Sequence, residues 1–215
     1  MSSRFSRSEA LKFGWQTTCN NLGFLILIFG VAWAVQIVPG LLANHFEKSQ
    51  SLLSFIFTIV SIFLGYLVGM GLITIGLKYC DSQSPQIEDL FVNSRLFFRF
   101  FGATIVYGLV IMIGLLLLII PGIILMIRLS FYSYLIVDKN VPAIESLKQS
   151  FALTKGEGWS LFVWGCLVVL VNLLGVLCLL IGLLWTIPTT MLAATFVYRK
   201  FVGAAETLTV LKPAV

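Results

Sequence analysis

Six long apolar runs, kept apart from nearly every charge, constrain this chain more than any other feature. They cover roughly Leu22–Ala43, Ser51–Lys78, Phe100–Ile120, Ile123–Val137, Ser160–Ile181 and Leu183–Tyr198. About 20 apolar residues in a helix cross a bilayer core, and a backbone in lipid must satisfy its own polar groups, so such runs fold as helices. The expected class is therefore all-α: a polytopic membrane bundle of about six transmembrane helices, forming a single transmembrane domain over residues 1–215. Charged residues make up 11% of the chain and the mean hydropathy is +1.03, whereas soluble domains carry about 25% charge. Residues 1–20 hold charges but no apolar core run, so they do not read as a cleaved signal peptide.

The net charge of +5 does not point to nucleic acid. Its basic residues gather in the N-terminal arm, the second and fourth connections and the tail, as topology signals do. The positive-inside rule then places both termini in the cytoplasm, beside anionic headgroups. The four cysteines show no CxxC or Cys/His spacing, so neither a disulfide framework nor a metal site is expected. His45 is the only histidine and is expected in a solvated outer loop beside Glu47. No histidine pair, nucleophile elbow, phosphate loop or paired intramembrane carboxylates occur. The expectation is a protein that is not an enzyme and holds no cofactor or metal.

The runs are organised as a repeat. Short amphipathic segments match one another at Glu9-Ala10-Leu11-Lys12, Glu88-Asp89-Leu90-Phe91 and Glu145-Ser146-Leu147-Lys148, with Thr18 and Thr154 following the first and third. At an offset of 61 residues Val110 and Gly114 fall on Val171 and Gly175, Pro121 on Gly182, Asp138 on Arg199 and Lys139 on Lys200. This predicts three units, about 6–80, 84–138 and 142–200, with a short tail over 201–215. Each unit comprises an amphipathic helix lying in the cytoplasmic headgroup layer and a helical hairpin. Lys12, Trp15, Arg95, Arg99, Lys148 and Lys155 mark the interfacial helices. Ser6-Arg7-Ser8-Glu9 reads as a capping box. Pro39, Gly40, Pro121, Gly122, Gly182 and Pro188 mark turns or kinks. The tryptophans and tyrosines near run ends read as an interfacial aromatic belt.

Two features inside the runs call for a role. In the second run, Ser61, Gly65 and Gly69 continue a stripe of small side chains, which suits close helix packing within the monomer or across a dimer. Arg128 stands in the fourth run, ten residues before Asp138; about 15 Å of helix puts it near mid-membrane. A charge there costs about 2.5–3.5 kcal/mol on insertion scales, and no carboxylate lies in any run to meet it. Its partner is then a carbonyl freed by Pro188, a polar side chain such as Asn172, Gln36, Thr189 or Ser130, an interface reached by snorkelling, or an anion. Arg128, Asn172 and Thr189 are the candidates for a lipid or anion site.

The stretch Leu117–Lys139, with Pro121-Gly122, Arg128 and Asp138-Lys139, followed by Ala143–Phe151 and Thr154-Lys155-Gly156, carries a resemblance. It resembles the membrane domain joined to some bacterial glycerophosphoryl diester phosphodiesterases and is similar to the YciC-like inner-membrane proteins. Gly14-Trp15, Asp89-Leu90-Phe91 and Ile181–Pro188 extend the likeness over most of the chain. It implies a multi-helix fold in the bacterial inner membrane, with Arg128 at the family's intramembrane arginine position. The phosphodiesterase activity does not transfer, because that catalytic domain needs histidines and metal-binding acids. The expected function is a non-enzymatic integral membrane protein that binds or organises anionic lipid at the cytoplasmic leaflet. The rivals are a small-solute or ion channel or transporter, and an accessory subunit of another membrane protein. Membrane lipids, another membrane protein or a second copy are the expected partners.

Overall fold

The computed structural model describes residues 5–46, 51–178 and 181–210. Among these the chain is helical, with no strand. Nine α-helices are described: α1 (Arg7–Asn20), α2 (Leu22–Phe46), α3 (Ser51–Cys80), α4 (Phe97–Leu117), α5 (Ile119–Arg128), α6 (Tyr132–Lys139), α7 (Ala143–Leu153), α8 (Gly158–Leu177) and α9 (Leu183–Val210). Two short 3-10 turns, Ile87–Leu90 and Ser94–Leu96, stand between α3 and α4.

Among the described residues, five stretches are long and apolar enough to cross a membrane: Leu22–Leu42, Leu52–Cys80, Ile87–Leu117, Ile119–Lys139 and Gly158–Leu177. The chain thus has the make-up of a multi-pass membrane protein. Their outward faces are aliphatic and aromatic, as at Leu52, Phe55, Leu116, Ile120 and Leu177, which is the surface that lipid requires. α9 falls short of this hydropathy because it carries Thr186, Thr189, Thr190, Thr195, Pro188, Arg199 and Lys200. It is nonetheless central to the packing. Leu192, Ala193, Val197, Tyr198 and Phe201 are fully buried, and α1, α3 and α8 pack on it.

Several boundaries differ from the sequence expectation. α2 continues through Pro39, Gly40 and His45 to Phe46, so Pro39-Gly40 is no hairpin tip; Glu47 and Lys48 lie outside the described residues. The α4–α5 hairpin turns at the extended residue Leu118 (φ −164°, ψ 141°). Pro121 instead occupies the first turn of α5, where its missing N–H costs nothing, and Gly122 lies in the helix. Gly182 lies in the turn before α9. The chain from residue 201 is not a loose tail: α9 runs on to Val210, and residues 211–215 are outside the described set.

Paired glycines close both later hairpins. A Cβ on Gly114 would lie 3.0 Å from the Cα of Gly122, and a Cβ on Gly182 would lie 2.8 Å from the Cα of Gly175. Only hydrogen atoms on these carbons permit such contact.

The amphipathic segments are packed against the bundle. α1 rests on α9, with Gly14 against the Thr189 carbonyl and Ala193. Trp15 and Lys12 face outward. α7 packs on α6 and α4 and buries Ser146, Leu147 and Ser150. Ile144, Lys148 and Phe151 stay exposed. The middle segment is no α-helix: its 3-10 turn presses the Leu90 backbone onto Gly71 of α3. Trp164 leaves the expected aromatic belt for the core, where its ring meets Phe5 edge-on at 6.1 Å.

Candidate functional site

The fourth apolar run is broken. Helix stops at Arg128, residues 129–131 form turns, and α6 restarts at Tyr132. A break exposes backbone groups that lipid cannot satisfy, and α7 supplies the missing partners. Ser150 Oγ donates to the Arg128 carbonyl at 3.0 Å and accepts the Phe131 N–H at 3.1 Å. Thr154 Oγ1 reaches the same Arg128 carbonyl at 3.0 Å. Both side chains are fully buried. The hydroxyls therefore fix where α5 ends and where its terminal arginine points.

The Arg128 side chain is half-buried. Its guanidinium carbon lies 4.1 Å from the centroid of the Phe151 ring, a cation–π contact worth about 0.5–1 kcal/mol where solvent reaches it. Among the described residues it forms no ion pair; those pairs join other groups. It lines an open groove of about 610 Å³ between α5 and the start of α8. Ile120, Ile123, Ile124 and Ile127 form one wall, and Trp159 and Phe162 the other. No acidic residue contributes to the lining. Gly156, held at φ +86°, and Gly158 border the groove near its arginine. Arg128 thus stands beside the charged connection at Lys155 and Glu157, not in the middle of an unbroken span. α8 begins there with no side-chain cap on its first N–H groups, and helix N-termini favour anions.

Asn172 and Thr189 are not brought to Arg128. Asn172 Nδ2 donates to the Val168 carbonyl (2.9 Å) and to Thr190 Oγ1 (3.2 Å), joining α8 to α9. Its Oδ1 and the nearby Thr186 hydroxyl are buried without partners. Thr189 donates to Thr18 at 3.2 Å, joining α9 to α1. Ser61 donates to the Gln36 carbonyl at 3.4 Å, and Gly65 faces the Gln36 side chain, so these two positions pack α3 on α2 in one chain. A Cβ on Gly69 would meet nothing within 4 Å.

Arg99 caps α6, donating to the carbonyl (3.1 Å) and side-chain oxygen (2.6 Å) of Asn140, whose φ is +52°. Arg95, Lys148 and Lys155 are exposed.

Sequence reasoning missed Ser150 and Thr154 as clamps. Two hydroxyls four residues apart in the chain do not by themselves reveal which distant backbone break they serve. It also missed Phe151, the ring under Arg128. Compared with known protein families, curated proteins and solved structures, the chain matches none.

Proposed function

We propose that the chain is a non-enzymatic, multi-pass membrane protein that binds an anionic phospholipid in the Arg128 groove. One observation carries this reading: a guanidinium with no acidic partner among the described residues stands at one end of a slot whose walls are isoleucine, tryptophan and phenylalanine. A phosphate-bearing head on acyl chains has that same division of charge and grease. The phosphate would meet Arg128, a geometry guanidinium suits, with the uncapped start of α8 beside it. An acyl chain would follow Ile120–Ile127 and Phe162.

In this reading α9 is a sixth crossing, its threonines tolerated because its polar face is buried against α1, α3 and α8. The packed lower ends of α1 and α7 and the basic connections then belong to the cytoplasmic side, in keeping with the positive-inside pattern. The resemblance to bacterial inner-membrane proteins agrees with this placement.

The test is native mass spectrometry of protein released from nanodiscs holding equal phosphatidylglycerol and phosphatidylcholine. Wild type should retain the anionic lipid preferentially, and Arg128→Met should lose that preference by about tenfold, equivalent to about 1.4 kcal/mol. Arg128→Lys should keep part of it. If Arg128→Met folds with an unchanged melting temperature and an unchanged lipid preference, the reading fails.

A further inference from the structure

Asp81, Asp138 and Arg199 each stand at the end of the second apolar run of their unit, and they meet. Arg199 Nη2 lies 2.5 Å from Asp81 Oδ2, and Nη1 lies 2.9 Å from Asp138 Oδ1. Tyr198 donates its hydroxyl to Asp138 at 2.8 Å. One guanidinium within α9 therefore ties the ends of α3 and α6 to that helix. The neighbouring lysines do not share this work: Lys139 pairs with Glu206 and Lys200 with Glu9, at 2.8 and 2.9 Å.

The packing upstream keeps the same register. Ten residues before these three positions stand Gly71, Arg128 and Thr189. Each receives the amphipathic segment that follows it in cyclic order. The Leu90 backbone rests on Gly71, Ser150 and Thr154 bond the Arg128 carbonyl, and Gly14 rests on the Thr189 carbonyl. The docked side also keeps register. Gly14, Asn93 and Ser150 each lie five residues after the matched glutamates Glu9, Glu88 and Glu145. Asn93 donates to Thr74 at 2.6 Å, while Ser150 accepts from Phe131; Thr74 and Phe131 each stand three residues beyond the docking point. Ala10, Asp89 and Ser146, each one residue after its glutamate, are all buried. The third joint is made by the first helix on the last, which closes the circle.

We infer that the chain is a ring of three quasi-equivalent units, latched on its axis by Asp81, Asp138 and Arg199. The latch has three equivalent seats and needs one arginine and two carboxylates. Which seat holds the arginine does not matter.

The test moves the arginine. Arg199→Asp alone puts three carboxylates together, and in nanodiscs its melting temperature should fall by roughly 10 °C. Asp81→Arg combined with Arg199→Asp restores one arginine and two carboxylates while leaving Asp138 beside Tyr198, and should recover most of the loss. Asp81→Arg alone, with two arginines and one carboxylate, should stay destabilised. Recovery in the double variant, including recovery from a single variant that does not fold, supports the ring. A double variant no better than Arg199→Asp overturns it, as does an Arg199→Asp protein as stable as wild type. Lipid retention at Arg128 is read separately, so the groove and the latch fail independently.

Discussion

The Ser150 hydroxyl donates to the Arg128 carbonyl oxygen at 3.0 Å, across 22 residues of chain. The Ser150 Oγ in turn accepts the Phe131 N–H, so one side chain serves both sides of the helix break. Replacing Ser150 with alanine leaves the Phe131 N–H buried and unpaired, which costs about 1–3 kcal/mol. Thr154→Val should cost less, because Ser150 still covers the Arg128 carbonyl. Thermal unfolding in nanodiscs should rank Ser150→Ala below Thr154→Val, and equal values would show that the two hydroxyls are interchangeable.

Glycines in α3 should divide sharply. A Cβ on Gly71 runs into the Leu90 backbone, which cannot move aside as a side-chain tip can. Gly71→Ala should therefore displace the 3-10 turn and strongly lower the folded yield. Gly69→Ala meets open space and improves helix propensity by up to about 1 kcal/mol, so its melting temperature should hold or rise. A large loss for Gly69→Ala would instead mark that position as an interface between copies.

Lys78 grips both oxygens of the Asp89 carboxylate at 2.7 Å, and the Gln86 N–H adds a third bond at 2.7 Å. The Asp89 side chain is only 9% exposed. Lys78→Met strands a buried carboxylate and should cost about 3 kcal/mol. Lys78→Met with Asp89→Leu removes the charge as well and should be less damaging than the single change. A double variant worse than the single would deny that charge burial is the cause.

The hydrogen bond and positive charge of Lys139 hold the Glu206 carboxyl below its ordinary value. A depressed carboxylate stabilises the fold above its unfolded pKa and loses that contribution as pH falls through the folded value. The pair is exposed, so the effect is small and screened by salt. Glu206→Gln should flatten the fall in melting temperature between pH 6 and pH 3 at low salt, and high salt should erase the difference. An identical pH profile in both proteins would assign the acid loss to other carboxylates.

The apolar runs made most of the helices legible, because length and hydropathy alone decide what a bilayer accepts. Ser6 was readable as an N-cap and accepts the Glu9 N–H. The break at Arg128 was not readable. Residues 123–137 hold little but apolar side chains, and the cause of the break lies in Ser150 and Thr154, far along the chain. The amphipathic segments looked like surface helices because their charges are conspicuous. Their buried faces are made of glycine, alanine, serine and threonine, which hydropathy scores as neutral although they permit the closest backbone approach. Gly71 and Gly76 went unnoticed for the same reason: a glycine's value lies in its neighbour, here Leu90 and Thr195. Pro39, expected at a turn or kink, lies inside α2, since an isolated proline can sit in a long helix whose other residues outvote it.

The seat of α1 on α9 sets an order on biogenesis. α1 finds its resting place only when α9 has left the ribosome. Until then, the face of α1 bearing Ala10, Gly14 and Thr18 lacks the surface that buries it. A truncation before Leu183 would leave that face without its partner for good.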